Sequence, residues 1–467
     1  MSRRRRALVA SGPIGALLGA ALVVTPASTV QARSVVHTRA EEVTGPIEGT
    51  QVRALPFPAR HVALYWSGNP DARVTVAFTG DGVRFGAPVD AERDEVGAQR
   101  GDGRTYGAVL SAAGATSVRV STDRPLGRLT VLAMSEGATS VMETSVPANP
   151  AGAVLPLAPA EVATRSEWGA DESLRFRGKG PIWPPVFQTV QKLVVHHTAG
   201  TNNESGAAAL ATIRAIYRYH AVTQGWGDIG YNFLIDAAGR VYKGRSTSST
   251  MVDDDRTGEN GQAKGVTAGH AYGYNSGTTG VALLGNFDLE PPTTAAADAL
   301  QRFLTWKAGA HGLDATGSSQ YTNPLNGTQV SFPNAPGHQQ VPDNSTACPG
   351  VHLAALLPDI RAAVRASAGS PDTAPPAAPS DVSAASVRRS VSLSWTPVVD
   401  TGSGGGISGT AGYDVFRQAG GTTTRLGTST GPAYTDASPP KGGAAYYVQA
   451  YDGAGNRSGN SNTVSAS

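Results

Sequence analysis

The chain has 467 residues, room for about three domains of ordinary size, and 40% of them are hydrophobic, enough for real cores. A formal net charge of +2 lacks the overall basic bias of a polyanion binder, so no nucleic-acid partner is expected. The single cysteine, Cys348, excludes a disulfide framework within one chain and leaves three explanations open: metal ligation, intermolecular pairing or inert burial.

Four arginines, Arg3 to Arg6, precede an uncharged, mostly apolar run from Ala7 to Val24, and Val30-Gln31-Ala32 offers small residues for a signal peptidase. Residues 1–32 therefore read as a secretory signal peptide. The chain is expected to be secreted or held in the cell wall, with no stable membrane anchor after cleavage. An uncleaved anchor is the alternative, but the run only just reaches the ~18 residues of a span and Gly12-Pro13 interrupts it. The arginines leave the general and the twin-arginine export routes both open.

Residues 46–146 read as a β-rich domain. Candidate strands are Val62–Trp66, Val74–Phe78, Tyr106–Leu110, Val118–Val120 and Leu129–Ala133, separated by turn clusters such as Ser67-Gly68-Asn69-Pro70. Short strands with Gly/Asp turns suggest a β-sandwich. It carries no chemical constellation, and spacer, packing and wall-binding roles stay open. Residues 147–160 are an Ala/Pro-rich linker.

Residues 161–368 alternate strand-like and helix-like segments, which predicts an α/β domain, a mixed sheet flanked by helices. Leu193-Val194-Val195 reads as a buried strand running into His196-His197. Ser205 to Val222 reads as a helix with Leu210, Ile213, Tyr217 and His220 on one face. Tyr231–Asp236 and Val241–Lys243 read as a hairpin, Gly280–Phe287 as a buried strand and Ala295–Lys307 as an amphipathic helix. Asp253-Asp254-Asp255 reads as a solvated loop tip rather than a calcium site. A long Gly/Asn-rich connection leads to Gly337-His338 and Thr346-Ala347-Cys348-Pro349-Gly350, and a closing helix carries Leu353, Leu357, Ile360 and Val364. Residues 369–379 are a second Pro/Ala linker. Residues 380–467 are all-β; the alternation in Val391–Trp395, Tyr413–Phe416 and Tyr446–Ala450 resembles a fibronectin type III domain, a β-sandwich used as a spacer or wall contact.

His196, His338 and Cys348 carry the chemistry. Two imidazoles, one thiolate and a water make a tetrahedral zinc site with one open position. That set also gives the lone cysteine a role, because a zinc-bound thiolate is deprotonated and protected. A His pair closing a strand is otherwise compatible with ordinary packing.

Several stretches together resemble the peptidoglycan recognition protein and type 2 amidase superfamily, to which phage T7 lysozyme also belongs. They are Arg165–Ala170, Val194–Ala199, Gly225–Ile235, Gly239–Arg245, Gly269–Asn275, Gly280–Phe287, Gly337-His338 and Thr346–Gly350. The resemblance implies that His196, His338 and Cys348 bind Zn2+, that Tyr231 assists catalysis and that Thr346 occupies a second catalytic position. It places the segment of His270 beside the substrate groove, and Arg245 could pair with a peptide carboxylate or make a structural ion pair. His220 reads as a core histidine, His197 as turned into the domain, and Trp168 and Trp226 as packing. One departure stands out: Gln339 through Ala347 make a longer connection than the usual family spacing, and Gln339-Gln340 stand where Arg-Asp is common.

The implied activity is that of a zinc-dependent N-acetylmuramoyl-L-alanine amidase acting on peptidoglycan, expected as a monomer. A peptidoglycan-binding protein without turnover and a wall-surface scaffold are the alternatives. Retention of Tyr231 and Cys348 argues against the first.

Overall fold

The computed structural model describes residues 36–93, 102–136, 156–367, 375–387, 390–398, 410–429, 431–452 and 455–466. The signal-peptide segment 1–32 and much of both linkers lie outside the described residues.

Six strands, β1 (Thr38–Ile47), β2 (Thr50–Gly68), β3 (Val74–Thr79), β4 (Val89–Asp90), β5 (Arg104–Thr122) and β6 (Leu126–Glu136), form one antiparallel sheet in the order β1-β6-β2-β5-β3-β4. Its first strand begins ahead of residue 46, where the sequence reading started the β-rich domain. Tyr106–Leu110 and Val118–Val120 are two parts of one strand, β5, joined through Ala113 (φ 48) and Gly114 (φ 82). Register shifts at Ala54/Ala59, Ala59/His61 and Ala63/Tyr65 mark irregularities in β2, which bend and twist a long strand. Alternate residues then serve two cores, as the period of a strand requires. Val62, Leu64, Trp66, Leu129, Val131 and Ala133 face the sheet's own core. Ala63, Tyr65, Leu132 and Met134 point the other way and pack on a helix of the central region.

That central region holds a four-stranded sheet of β7 (Lys192–His197), β8 (Phe233–Ile235), β9 (Val241–Lys243) and β10 (Thr278–Leu283), in the order β7-β10-β8-β9. β10 runs parallel to both β7 and β8, and β9 is antiparallel to β8. Leu193, Val195, Phe233, Ile235 and Val281 face helices α2 (Thr294–His311) and α3 (Val351–Ser367), through Leu300, Phe303, Leu304, Leu353 and Leu357. α2 starts where the Thr293 hydroxyl accepts the Ala296 N–H and stops at Gly312, whose φ of 63 suits a residue without a Cβ.

The other face of this sheet takes helix α1 (Gly206–Arg218), which runs on into a wide turn over Tyr219–Thr223. Every residue of α1 from Ala209 to Tyr217 is buried, including Arg214. A helix buried all round needs cover on two sides. Leu234 and Tyr242 of the central sheet give one, and the N-terminal sheet gives the other.

Inside the Gly/Asn-rich connection lies a hairpin that the sequence reading missed, Ser318–Thr322 with Gln329–Pro333. Its Tyr321 and Phe332 pack with Val194, Ala271 and Tyr274. Lys192, fully buried, donates from Nζ to Ser319 O, Phe332 O and Asn334 Oδ1 at 2.7 to 2.9 Å, pinning the hairpin to β7.

In the C-terminal region, Ser380–Val387, Ser390–Thr396 and Ala433–Asp436 make a three-stranded antiparallel sheet. Thr410–Ala419, Thr422–Ser429, Ala444–Asp452 and Val464–Ala466 make a four-stranded one. Val391, Leu393, Trp395, Tyr413, Val415, Tyr446 and Val448 from the two sheets share one core.

Candidate metal centre and its cleft

β7 ends at His196-His197, so the last histidines sit on a strand that is hydrogen-bonded along β10 and buried at every position. On the other side of β7, Val195 bridges to Gly337, which carries His338 to the same strand end. Gly337 has to be glycine-sized, since a Cβ there would fall 2.8 Å from Pro349 Cδ. The connection before α3 brings back Cys348. The result is one cluster: a ligand atom from each of His196, His338 and Cys348 lies within 4.8 Å of the others, all three buried. Cys348 Sγ is 3.6 Å from His196 Nδ1 and accepts the His197 backbone N–H at 3.4 Å. The His196 and His338 ring centroids are 4.5 Å apart.

Burial, with His338 and His270 beside it, holds the His196 pKa well below the ordinary imidazole value. A neutral ring keeps a lone pair for a metal. The donor set therefore fits zinc: two imidazoles and a thiol, buried, on rigid supports.

The cluster lines a cavity of about 450 Å³. Tyr231 lies in its wall, its ring centroid 5.7 Å from that of His196. Thr346 lines it too; its hydroxyl oxygen accepts the Cys348 N–H at 3.0 Å, which leaves its own proton to donate. His220 reaches the cavity while its Nδ1 accepts the Gly230 N–H at 3.1 Å.

His270 is fully buried and lines the cavity behind His196, with its Nδ1 3.1 Å from His196 Nε2. Its ring lies over Gly280, where a Cβ would collide with it. Arg245, in contrast, does not line the cavity. Its side chain is fully buried, with Nη1 2.7 Å from Asp228 Oδ2 and Nη2 2.8 Å from Trp183 O. A guanidinium spent on a buried carboxylate and a carbonyl has no reach toward a ligand, so a substrate role for Arg245 is replaced by the structural ion pair. Asp253 likewise is no solvated tip: it is buried, accepts from Ser246 Oγ at 2.7 Å and lies 3.6 Å from Lys243 Nζ.

The cavity has a second wall that nothing in the sequence announced. Glu92, Arg93, Gly107, Ala108 and Val109 of the N-terminal sheet line it opposite the central region. Glu92 Oε1 accepts the Asn286 side-chain amide at 2.6 Å, and burial pushes its pKa up to about 7. Across the same seam Tyr219 donates to Leu64 O at 3.0 Å, and Arg214 clasps Glu136 through Nε and Nη2 at 2.5 and 2.8 Å. Val109 O comes so close to Gly200 that a Cβ there would lie 2.9 Å away.

Glu92, His197 and Asp288 also bring three ligand-type atoms within 4.8 Å of one another. His197 Nδ1 accepts the Phe287 N–H at 3.3 Å, so its proton sits on Nε2, 3.5 Å from Glu92 Oε2. That tautomer offers a cation no lone pair at Nε2, and the His197–Glu92 pair is a contact between the two regions.

Residues 186–351, which include all five of His196, Tyr231, His338, Thr346 and Cys348, match the Amidase_2 family, described as N-acetylmuramoyl-L-alanine amidase. Peptidoglycan-recognition protein SC1a/b of Drosophila simulans is 30% identical over 196 residues, 41% of this chain and 81% of that protein. This chain belongs to the peptidoglycan recognition protein and type 2 amidase superfamily. A human protein named N-acetylmuramoyl-L-alanine amidase is 34% identical over 135 residues, 28% of this chain and 19% of its own length. Drosophila peptidoglycan recognition protein SD, a solved structure, is 27% identical, covering 42% of this chain and 92% of that one at a TM-score of 0.30. The N-terminal sheet, with its wall of the cavity, lies outside the family match.

Proposed function

We propose that the chain is an exported, zinc-dependent N-acetylmuramoyl-L-alanine amidase. It hydrolyses the amide between the lactyl group of muramic acid and the L-alanine that opens the stem peptide of peptidoglycan. One observation carries the reading: the His196, His338 and Cys348 cluster lines the same cavity as Tyr231. A receptor that only binds muropeptides has no use for a buried thiol and two buried imidazoles gathered in its cleft. A bound zinc would supply a Lewis acid for the scissile carbonyl and lower the pKa of water to about 7.

The remaining work falls to the chain. Tyr231 donates a hydrogen bond from its phenol to the carbonyl oxygen as charge develops there, and Thr346 donates a second, weaker one. Water adds to the carbonyl carbon, the C–N bond breaks, and the L-alanine nitrogen leaves with a proton. The cavity walls hold the lactyl–alanine junction against the strand end, where the ligands are fixed.

Export follows from the arginine-led apolar segment at the start of the chain. We read the C-terminal pair of sheets as a fibronectin type III-like module that spaces the enzyme from, or touches, the wall, and the chain as a monomer. The deciding experiment is mass spectrometry of the products from purified peptidoglycan, with metal analysis of the same protein. New L-alanine amino termini and about one zinc per chain are expected from a single three-ligand site. Cys348→Ser should lose most of the zinc. Zinc retained without any release of L-alanine termini, across several peptidoglycan types, would mean that the protein is a receptor.

A further inference from the structure

Each ligand of the cluster is itself held by a further group, and these groups fix which ring nitrogen faces the metal. Asn344 comes first, because its orientation is unambiguous. Its Nδ2 lies 3.1 Å from Tyr272 O and 2.9 Å from Pro342 O, and both oxygens can only accept. Oδ1 is therefore the atom that meets His338 Nε2 at 3.0 Å. An amide oxygen has no proton, so His338 Nε2 is the donor and His338 Nδ1 keeps the lone pair.

His196 reaches the same state by a different route. The Thr278 hydroxyl donates to Tyr274 O at 2.6 Å, so its oxygen accepts from His270 Nε2 at 3.4 Å. His270 Nδ1 is then an acceptor, and it takes the proton of His196 Nε2 at 3.1 Å. That leaves the lone pair of His196 on Nδ1, the atom 3.6 Å from Cys348 Sγ.

We infer that Asn344 and His270 are positioning residues for the metal centre: they hold His338 and His196 in the tautomer that ligates through Nδ1. The inference rests on the zinc reading above. It gives a use to the long connection between His338 and Cys348. That connection turns back at Asp343, which has φ 59, and so carries the Asn344 amide onto the ring of His338. Partners of this kind fix ring orientation and raise the basicity of the ligating nitrogen.

The test is zinc affinity of the full chain by chelator competition, with the visible spectrum of the cobalt-substituted protein as a second readout. Asn344→Leu and His270→Leu remove the acceptor at similar size, and each should weaken zinc about 10- to 100-fold and shift the cobalt bands. Asn344→Asp and His270→Asn keep an acceptor oxygen where it is needed and should hold zinc near the wild-type level. Asn344→Asp also loses both Nδ2 contacts to the loop. If Asn344 served only to tie the loop, the Asp and Leu variants would therefore weaken zinc alike, which would overturn the inference for that residue. Wild-type affinity and cobalt spectra in both Leu variants would overturn it for both. A wild-type protein that binds no zinc at all would remove the metal reading itself, an outcome distinguishable from failure of the variants alone.

Discussion

Tyr231 sits beside the His196, His338 and Cys348 cluster rather than within it, and this makes it the sharpest single-residue probe. Tyr231→Phe removes one oxygen and leaves His196, His338 and Cys348 in place. Zinc content and muropeptide binding should hold, while turnover falls roughly 10²- to 10³-fold, the effect of losing one oriented donor to a developing oxyanion. Paired metal analysis and kinetics check this, and the loss should appear in kcat rather than KM. Arg245 gives the opposite pattern. Arg245→Leu takes one of two buried cations from Asp228, which keeps Arg165 Nη1 at 3.1 Å, so it should cost less than the ~3–5 kcal/mol of a stranded carboxylate in urea unfolding. The KM of the folded fraction should scarcely move. The cluster of His196, His338 and Cys348 was legible in the sequence because a strand-end histidine, Gly337-His338 and a lone cysteine form an ordered motif. Arg245 was not, because a sequence shows that a charge exists and not which way it points; its partner Asp228 lies 17 residues earlier.

At the scale of elements, α1 decides how the two regions are joined. Its periodicity showed one apolar face, and the structure buries both, because apolar alternation in β2 and β6 was spent on two cores at once. No local pattern in α1 names the strand that will cover it. Arg214 and Glu136 close this contact, each side chain 3% exposed. Arg214→Met should therefore strand a buried carboxylate and destabilise by about 3–5 kcal/mol. The same seam has a titrating group. His61 Nε2 lies 2.8 Å from Thr212 Oγ1, and burial, then the charges of Arg60 and Arg214, hold its pKa down at about 3. The unfolded chain takes this proton near pH 6.5. Between those values the unfolded state binds a proton that the folded state refuses, so this group lowers stability as pH falls from about 6.5 toward 3. Above 6.5 it adds no pH dependence. Unfolding of His61→Gln beside the wild type isolates the term: the wild type should lose ground to the variant only on the acid side.

At the scale of the whole molecule, the two flanking regions differ in kind, although both are β-structure reached through a linker. Removing residues after Gly369 should leave hydrolysis of soluble muropeptides nearly intact while activity on insoluble sacculi falls, since tethering raises local concentration. Loss of soluble activity from a core that stays folded would contradict this. Removing the N-terminal sheet should instead uncover Thr212, Arg214 and Tyr219, which bond across the seam, and take away one wall of the cavity. Linker composition, legible on both sides, says only that a chain can move, whereas the close fit of Gly200 to Val109 says that it does not.

The shared cavity also couples recognition to assembly by mass action. A ligand that touches Val109 on one side and His196 on the other binds only the docked arrangement. Every molecule bound then biases docking by RT ln(1 + [L]/Kd), about 2.7 kcal/mol at a hundredfold excess over Kd. Muropeptide should therefore raise the melting of the sheet and of the central region together. A fragment held by the central region alone would protect only that region.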